Sequence, residues 1–285
     1  MNRIKKPIPA KKLHAYVRAV IQLLFFLFFP AAFTTAFSAV KNIFTQMGSQ
    51  MPIVWTAFLT VFLSLCAFTI VFGRFFCGYA CAFGSLGDAV RSLYVWICKK
   101  RNKKPITFKP KKMSLYLLKY LVLLLIVILC FTGVYGTWRG WSPWDVFSML
   151  RAGNWHLGGY WIGVGLLLII LIGMALCERF FCRFLCPLGA VFSLLPILPI
   201  FSIRRKQEQC IKGCTACKRC CPAELTLPEA GSWRVSGECF QCQKCVDTCP
   251  RKNAHSGLGI LQGNAIWFTV VRAVLLGIVL ILAGI

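Results

Sequence analysis

Apolar residues fall into five long runs, separated by short basic segments and by one long cysteine-rich segment. The runs cover residues 17–40, 53–72, 113–135, 160–177 and 265–285. A stretch of about 18 or more apolar residues with few charges is typical of a membrane-spanning helix. The first four runs therefore predict four core transmembrane helices, and the first is too long to be a signal-peptide core. The fifth run contains Arg272, so it either spans the membrane or lies on its surface.

The composition agrees with a membrane protein. The 285 residues are 58% hydrophobic and only 14% charged, with a mean hydropathy of +0.69, whereas soluble proteins are about a quarter charged. The formal net charge of +25 is of the kind seen in nucleic-acid-binding proteins. Here, however, the basic residues occupy the segments between apolar runs, as membrane topology requires. We therefore predict contact with a lipid bilayer and exclude nucleic acid as a partner.

The distribution of lysine and arginine predicts the orientation. The segment before the first run is basic, ten such residues lie between the second and third runs, and twelve lie between the fourth and fifth. The other two loops hold Lys41, Arg139 and Arg151. Because lysine and arginine accumulate on the cytoplasmic side, the N-terminus and the cysteine-rich segment are predicted to be cytoplasmic. The protein is then a multi-pass protein of the inner (cytoplasmic) membrane.

An internal repeat follows the second and the fourth apolar runs. Residues 74–84 and 179–189 share the pattern R-F-F-C-x3-C-x2-G. Each copy comes after the second helix of a helical hairpin. The simplest arrangement is two hairpins related by a twofold pseudo-axis along the membrane normal.

Four closely spaced cysteines carry the strongest chemical signal. They are Cys239, Cys242, Cys245 and Cys249, and Pro250 follows the last. The spacing C-x2-C-x2-C-x3-C-P is that of bacterial ferredoxins, in which three cysteines ligate one [4Fe–4S] cluster and the fourth ligates another. Zinc sites use C-x2-C pairs separated by a longer stretch, which a single run fits poorly.

A second cysteine run supplies the partner cluster. It reads C-x3-C-x2-C-x3-C-P and ends at Cys221 and Pro222, with one residue more than the usual spacing after its first cysteine. Crossed ligation then predicts cluster 1 on Cys210, Cys214, Cys217 and Cys249, and cluster 2 on Cys239, Cys242, Cys245 and Cys221. The additional thiol, Cys220, is predicted to be a spectator.

The C-x3-C pairs of the repeat are a further candidate redox centre. If the helices continue to these points, each pair lies one turn apart on one helix face. Four thiols would then meet across the pseudo-axis at the cytoplasmic membrane edge, as ligands of a further metal centre or as a redox-active thiol set. The competing interpretation is that they pack a helix end. The residues are Cys77, Cys81, Cys182 and Cys186.

The outer segment 137–159 is a weaker candidate, for binding of quinol. A quinol needs a flat apolar slot and a proton acceptor near its hydroxyls. Asp145 and His156 could accept those protons, beside Trp141 and Trp144. An interfacial aromatic belt is the competing interpretation.

With these residues in hand, the chain resembles the NapH-type quinol dehydrogenase membrane subunits and the related C-terminal membrane half of NosR and PceC proteins. The resemblance rests on the R-F-F-C-x3-C repeat and on the twin ferredoxin runs, and it extends from the first apolar run to Pro250. It implies electron transfer between the quinone pool and an extracytoplasmic redox protein, which is an iron–sulfur subunit, a multihaem cytochrome or a flavin domain. The family motif continues as C-x3-C-P, which Pro187 matches and Ala82 does not.

The predicted fold class is an all-α polytopic membrane protein with a small α+β domain of the two-cluster bacterial ferredoxin type. The membrane domain covers residues 1–202, the cytoplasmic ferredoxin-like domain 203–263, and the C-terminal helix 264–285. The predicted function is membrane-bound iron–sulfur electron transfer, as a redox subunit of a quinol dehydrogenase type of complex. Two alternatives are a membrane polyferredoxin of the CcoG type, acting in metal-centre assembly or copper reduction, and a thiol-based redox sensor.

Overall fold

The structure is a computed structural model. It describes residues 10–108, 114–137, 139–156, 158–198, 201–229, 232, 235–258, 261–262 and 264–285. Residues 1–9 of the basic N-terminal segment and residues 138 and 157 of the outer segment lie outside the described residues.

The described residues form mainly helices. The longer ones are α1 (Ala10–Phe28), α2 (Ala32–Gly48), α3 (Ala57–Phe72), α4 (Ala82–Lys100), α5 (Ser114–Phe131), α6 (Pro143–Arg151), α7 (Trp161–Leu176), α9 (Pro187–Leu194) and α12 (Ala265–Leu282). Short helices are α8 (Phe180–Phe184), α10 (Ala216–Cys220) and α11 (Lys244–Thr248), and the strands are β1 (Ile203–Arg205), β2 (Ala254–Leu258) and β3 (Leu261–Gln262).

The first apolar run is not one helix, as its length predicts, but two. The segment Leu13–Phe28 and the helix Ala32–Gly48 are bent by 60° relative to each other. The break contains Pro30, which lacks a backbone N–H and disfavours helix at the residue before it. The predicted span 17–40 is therefore the end of α1, a break, and the start of α2.

By length and composition, one described helix, Ala265–Leu282, is able to cross a membrane, and the bent pair of α1 and α2 would count as a second. The helices Ala57–Phe72, Leu115–Phe131 and Trp161–Leu176 are apolar but shorter, at 10–17 residues. The number of transmembrane helices stays a prediction.

Aromatic rings pack the two repeat copies against each other. The buried ring of Phe83, just after Cys81, stacks on that of Phe181, just before Cys182, with a centroid distance of 4.8 Å. The ring of Phe33 in α2 lies 5.2 Å from that of Phe83. The core of the helical part therefore lies where the C-x3-C pairs meet.

The cysteine-rich segment forms a small domain with a three-stranded sheet in the order β1-β2-β3. Both pairings are antiparallel, with Ile203 opposite Ser256. Helix α12 packs against α1, α3 and β2. Its Arg272 is buried, stacks over the Phe75 ring at 5.1 Å and reaches Gln241 Oε1 at 3.4 Å. The charge of Arg272, which would make α12 a poor membrane span on its own, therefore faces protein.

Candidate metal centres

The four cysteines predicted for cluster 1 lie around one small cavity. Cys210, Cys214 and Cys217 line it together with Cys249, which comes from the other cysteine run. Helix α10 begins at Ala216 and holds Cys217, while Cys249 follows the end of α11. The fold thus brings the crossed set together, and a cavity lined by four thiols suits a [4Fe–4S] cluster.

Two residues that the sequence does not single out donate hydrogen bonds to these sulfurs. Asn253 donates from its backbone nitrogen to Cys249 Sγ at 3.3 Å and from its side-chain amide to Cys210 Sγ at 3.5 Å. Arg205 Nη1 donates to Cys217 Sγ at 3.7 Å. Hydrogen bonds to the sulfurs tune the reduction potential of an iron–sulfur cluster.

A second cavity brings together the set predicted for cluster 2. Its lining includes Cys239, Cys242 and Cys245 and the crossing residue Cys221. Cys217 of the first set lines this cavity too, so the two sites adjoin. The extra thiol Cys220 instead donates to the Cys217 carbonyl oxygen at 3.3 Å.

The C-x3-C pairs are buried, but not in the way predicted. They do not lie on continued spans, because α3 ends at Phe72 and α7 ends at Leu176. Cys77 lies in a short π-helical turn, and Cys81 has an extended conformation directly before α4. In the second copy Cys182 lies in α8, and Cys186 caps α9 by accepting a hydrogen bond from Gly189 N at 3.1 Å.

The arginines of the repeat cross over between the two copies. Arg74 Nη2 donates to the Cys182 carbonyl oxygen at 3.4 Å, and Arg179 Nη1 donates to the Cys77 carbonyl oxygen. Both arginines are buried. Each copy thus anchors the backbone at the other copy's first cysteine, as the predicted pseudo-symmetry requires.

The glycine that ends each repeat copy has a steric reason in this structure. A Cβ atom at Gly84 would lie 2.7 Å from Arg179 Nη1 and 2.8 Å from the Cys77 carbonyl oxygen. At Gly189 it would lie 2.8 Å from Arg74 Nη2. Only glycine leaves room for the crossing guanidiniums.

Each arginine has one carboxylate partner. Arg179 pairs with Asp88 at 2.5 Å, and Asp88 also pairs with Arg18 at 2.5 Å. Burial acts to raise the pKa of Asp88, but Arg179 and Arg18 outweigh it and hold that pKa below its ordinary value. Asp88 therefore stays ionised at neutral pH.

Glu238 is the carboxylate partner of Arg74. The Arg74 Nη1 to Glu238 Oε2 distance is 2.9 Å, and Lys119 pairs with the other carboxylate oxygen. Lys119 is fully buried, so the positive charge of its side chain is paired with Glu238 inside the protein. Burial acts to raise the pKa of Glu238, but Arg74 and Lys119 lower it overall. Because Glu238 precedes Cys239, this pair ties the helical part to the cluster 2 loop.

Phe240 fills the junction between the C-x3-C pairs and cluster 2. It is 2% exposed and lies between Cys239 and Cys242. The guanidinium carbons of Arg74 and Arg179 lie 4.8 and 5.8 Å from its ring centroid. A Cβ atom at Gly78 would overlap the Phe240 carbonyl oxygen. The cluster 2 loop therefore packs directly on the repeat.

The donor chemistry of the third site also fits an iron–sulfur cluster. Burial raises the pKa of Cys182 to about 11, and it raises that of Cys186 well above its ordinary value. Coordination by a metal deprotonates such thiols outright, and the two guanidiniums offset the negative charge of four thiolates. Across the described residues, no three His, Cys, Asp or Glu side chains converge on a single metal ion; a cubane instead spreads its ligands over four irons.

The residues of the outer segment that were predicted to bind quinol lie apart from the cysteine sites, except for Trp144. Asp145, in the first turn of α6, lies 3.9 Å from Lys41 Nζ, and His156 is exposed. Trp141 is 48% exposed. The ring of Trp144 packs on those of Phe37 and Phe181, at 5.2 and 6.3 Å.

Several residues that the structure places at the sites have no predicted role. The repeat marks Arg74 and Arg179, and their position was the available signal. Asp88, Glu238 and Asn253 carry no local signal, because their partners are far away in sequence.

Comparison with known proteins shows similarity to iron–sulfur proteins. A family described as a 4Fe-4S binding domain matches residues 54–104 and 159–201, and each segment contains one C-x3-C pair. The chain is 28% identical over 237 residues to the uncharacterized protein MJ0750 of Methanocaldococcus jannaschii, covering 82% of this chain and 92% of that protein. No solved structure matches the chain significantly.

Two further relatives have names that describe redox proteins. The putative electron transport protein YccM of Escherichia coli is 26% identical over 214 residues, which cover 73% of this chain and 57% of YccM. The ferredoxin-type protein NapH of Haemophilus influenzae is 23% identical over 192 residues, which cover 65% of this chain and 62% of NapH. The chain is an iron–sulfur protein of the electron-transfer type, and it is similar to proteins of the NapH/NosR family.

Proposed function

We propose that the chain is a membrane-embedded electron-transfer protein with three [4Fe–4S] centres, which exchanges electrons with the quinone pool. The ligands of the first two centres are the crossed cysteine sets around the two cavities. The third centre is held by Cys77, Cys81, Cys182 and Cys186. When bound, such clusters accept and release single electrons.

The contact of Phe240 with both repeat arginines carries this proposal. Phe240 belongs to the loop that holds Cys239 and Cys242, so the contact supports a third site that adjoins this loop. Cys217 lines both ferredoxin cavities, so the first two sites adjoin as well. These contacts support a continuous series of three sites, which is what a protein that passes electrons onward requires.

The membrane placement rests on the apolar helices and the charge distribution. Helices α3, α5, α7 and α12 and the bent pair α1–α2 are the proposed membrane part, with the basic segments and the ferredoxin-like domain in the cytoplasm. A span can be shorter than usual where the bilayer thins around it. The proposed redox partner lies on the other side of the inner membrane, as in the quinol dehydrogenase complexes that the family resemblance implies.

The arrangement favours electron transfer over the two alternatives. A thiol sensor needs accessible cysteines that can switch, whereas the four repeat thiols are each 5% exposed or less. Copper handling favours soft or borderline ligands such as methionine and histidine, and the outer segment offers few of either.

Exchange of electrons with quinone is expected in anaerobic protein reconstituted into lipid nanodiscs. A short-tailed quinol should bleach the visible absorbance of the clusters, or the matching quinone should restore it after reduction by dithionite. A Cys242→Ser variant, which removes a predicted ligand of cluster 2, should lose most of this response. Full cluster content without electron exchange in either direction would contradict the quinone part of the proposal.

A further inference from the structure

A cleft of about 710 Å³ opens beside cluster 2, between α1 and α4. Its walls include Ala19 of α1 and Val95 and Trp96 of α4, and its inner end reaches Cys221 and Cys242. Sites for small organic ligands typically have about 300–1,000 Å³, with mostly apolar walls and a few convergent polar groups. A bound ring would adjoin two predicted cluster ligands.

His14 presents an unused polar atom in this cleft. The side chain is 3% exposed and lines the cleft. Its Nδ1 lies 2.8 Å from Asp247 Oδ2, and its buried Nε2 has no partner in the described structure. In a neutral imidazole whose Nδ1–H donates to a carboxylate, Nε2 is an acceptor. An unpaired buried polar atom costs free energy. A ligand hydroxyl would pair with His14 Nε2 and remove that cost.

Several charged side chains around the cleft have partners within the protein. Arg18 is paired with Asp88, Lys244 with Glu178, and Arg183 with Glu224. Arg91 donates to the Ala175 carbonyl oxygen at 2.5 Å. Asp88 is shared by Arg18 and Arg179, and Lys99 also lines the cleft, so the lining keeps a positive charge beside the apolar walls and His14.

Apolar side chains are exposed beside the residues that line the cleft on both helices. On α1, Tyr16 and Val20 are 63% and 55% exposed, and on α4, Leu93 and Trp96 are 57% and 58% exposed. In the proposed membrane setting these side chains face lipid near the cytoplasmic edge. A carrier dissolved in the bilayer therefore reaches the cleft without crossing water.

We propose that this cleft binds the ring of a quinone-type carrier, with His14 Nε2 accepting a hydrogen bond from its hydroxyl and Asp247 positioning His14. This inference rests on the proposed function and places quinone binding on the cytoplasmic side, beside cluster 2. It replaces Asp145 and His156 of the outer segment as the quinone-binding candidates.

The test is a binding titration with a decyl-tailed benzoquinone, followed by quenching of tryptophan fluorescence in nanodiscs. His14→Gln should raise the dissociation constant about tenfold, as expected for one lost hydrogen bond. His156→Gln should leave it unchanged. Ala19→Phe, which fills the cleft from an exposed position, should abolish binding, whereas Val20→Phe on the neighbouring face should not. Iron content is measured for every variant, so that loss of fold or of clusters is recognised separately.

Three outcomes would overturn the inference. His14→Gln and Ala19→Phe could both bind like wild type, or only His156→Gln could lose binding, which would return the site to the outer segment with the quinone function intact. The wild type could also fail to bind the benzoquinone while holding all its iron, which would remove quinone from the proposed function and leave electron transfer standing.

Discussion

We expect the iron content of anaerobically purified protein to fall from about twelve to about eight atoms per chain when serine replaces Cys77, Cys81, Cys182 and Cys186. The physical reason is that these thiols are buried together and anchored by crossing arginines. They form a set separate from the two ferredoxin cavities. Acid-labile sulfide should fall in the same proportion, and both are measured by chemical assay.

The chain provides a matched control for this fourfold change. Serine at Cys66, Cys98, Cys130 and Cys177 alters the same number of cysteines outside the three proposed centres, and it should leave about twelve irons. About eight irons in wild type and in both variants would mean that the repeat cysteines hold no cluster. That result would favour the thiol-sensor interpretation.

Asp88→Asn is expected to lower the free energy of unfolding by about 3–5 kcal/mol, because it leaves the buried Arg179 guanidinium without its counter-ion. Asp88 also pairs with Arg18 and accepts a hydrogen bond from Gln22 at 2.7 Å. Burial acts to raise the pKa of Asp88, but the two arginines hold it below its ordinary value. Its contribution is therefore fully present above the unfolded pKa of about 3.9 and is lost as pH falls through the lower folded value. Chemical unfolding in detergent at neutral pH measures the difference.

Asp145→Asn is the matched control for the same chemical change. Asp145 lies 3.9 Å from Lys41, and its side chain is 33% exposed. Pairs of this kind contribute about 0–1 kcal/mol, so the control should stay near wild type. Equal losses for Asp88→Asn and Asp145→Asn would show that the Asp88 pair does not stabilise the repeat junction.

The cysteine sets could be predicted from the sequence because ligand spacing is local. Each ferredoxin run carries its own spacing and its own proline, and crossed ligation follows from that pattern. The structure brings together Cys249 with the first run and Cys221 with the second. The repeat likewise predicted that the two C-x3-C pairs meet, although the helices that carry them end earlier than expected.

The remaining features depend on tertiary contacts that no local pattern carries. His14 and Asp247 are 233 positions apart, and His14 has no cysteine at ligand spacing. Lys119 lies in an apolar run, and the fold buries it against Glu238. Arg272 also lies in an apolar run, and its burial against Phe75 and Gln241 depends on how α12 docks. The break at Pro30 did have a sequence signal, which the continuous apolar run obscured.

The central claim is that the repeat cysteines and cluster 2 form adjoining redox centres, joined at Phe240. The most direct measurement is electron paramagnetic resonance of the fully reduced protein, for wild type and for the fourfold repeat-cysteine variant. The wild type should show broadened signals of interacting centres, and the variant should show a simpler spectrum with fewer spins per chain. Spectra that superimpose, with equal spin counts, would contradict the claim.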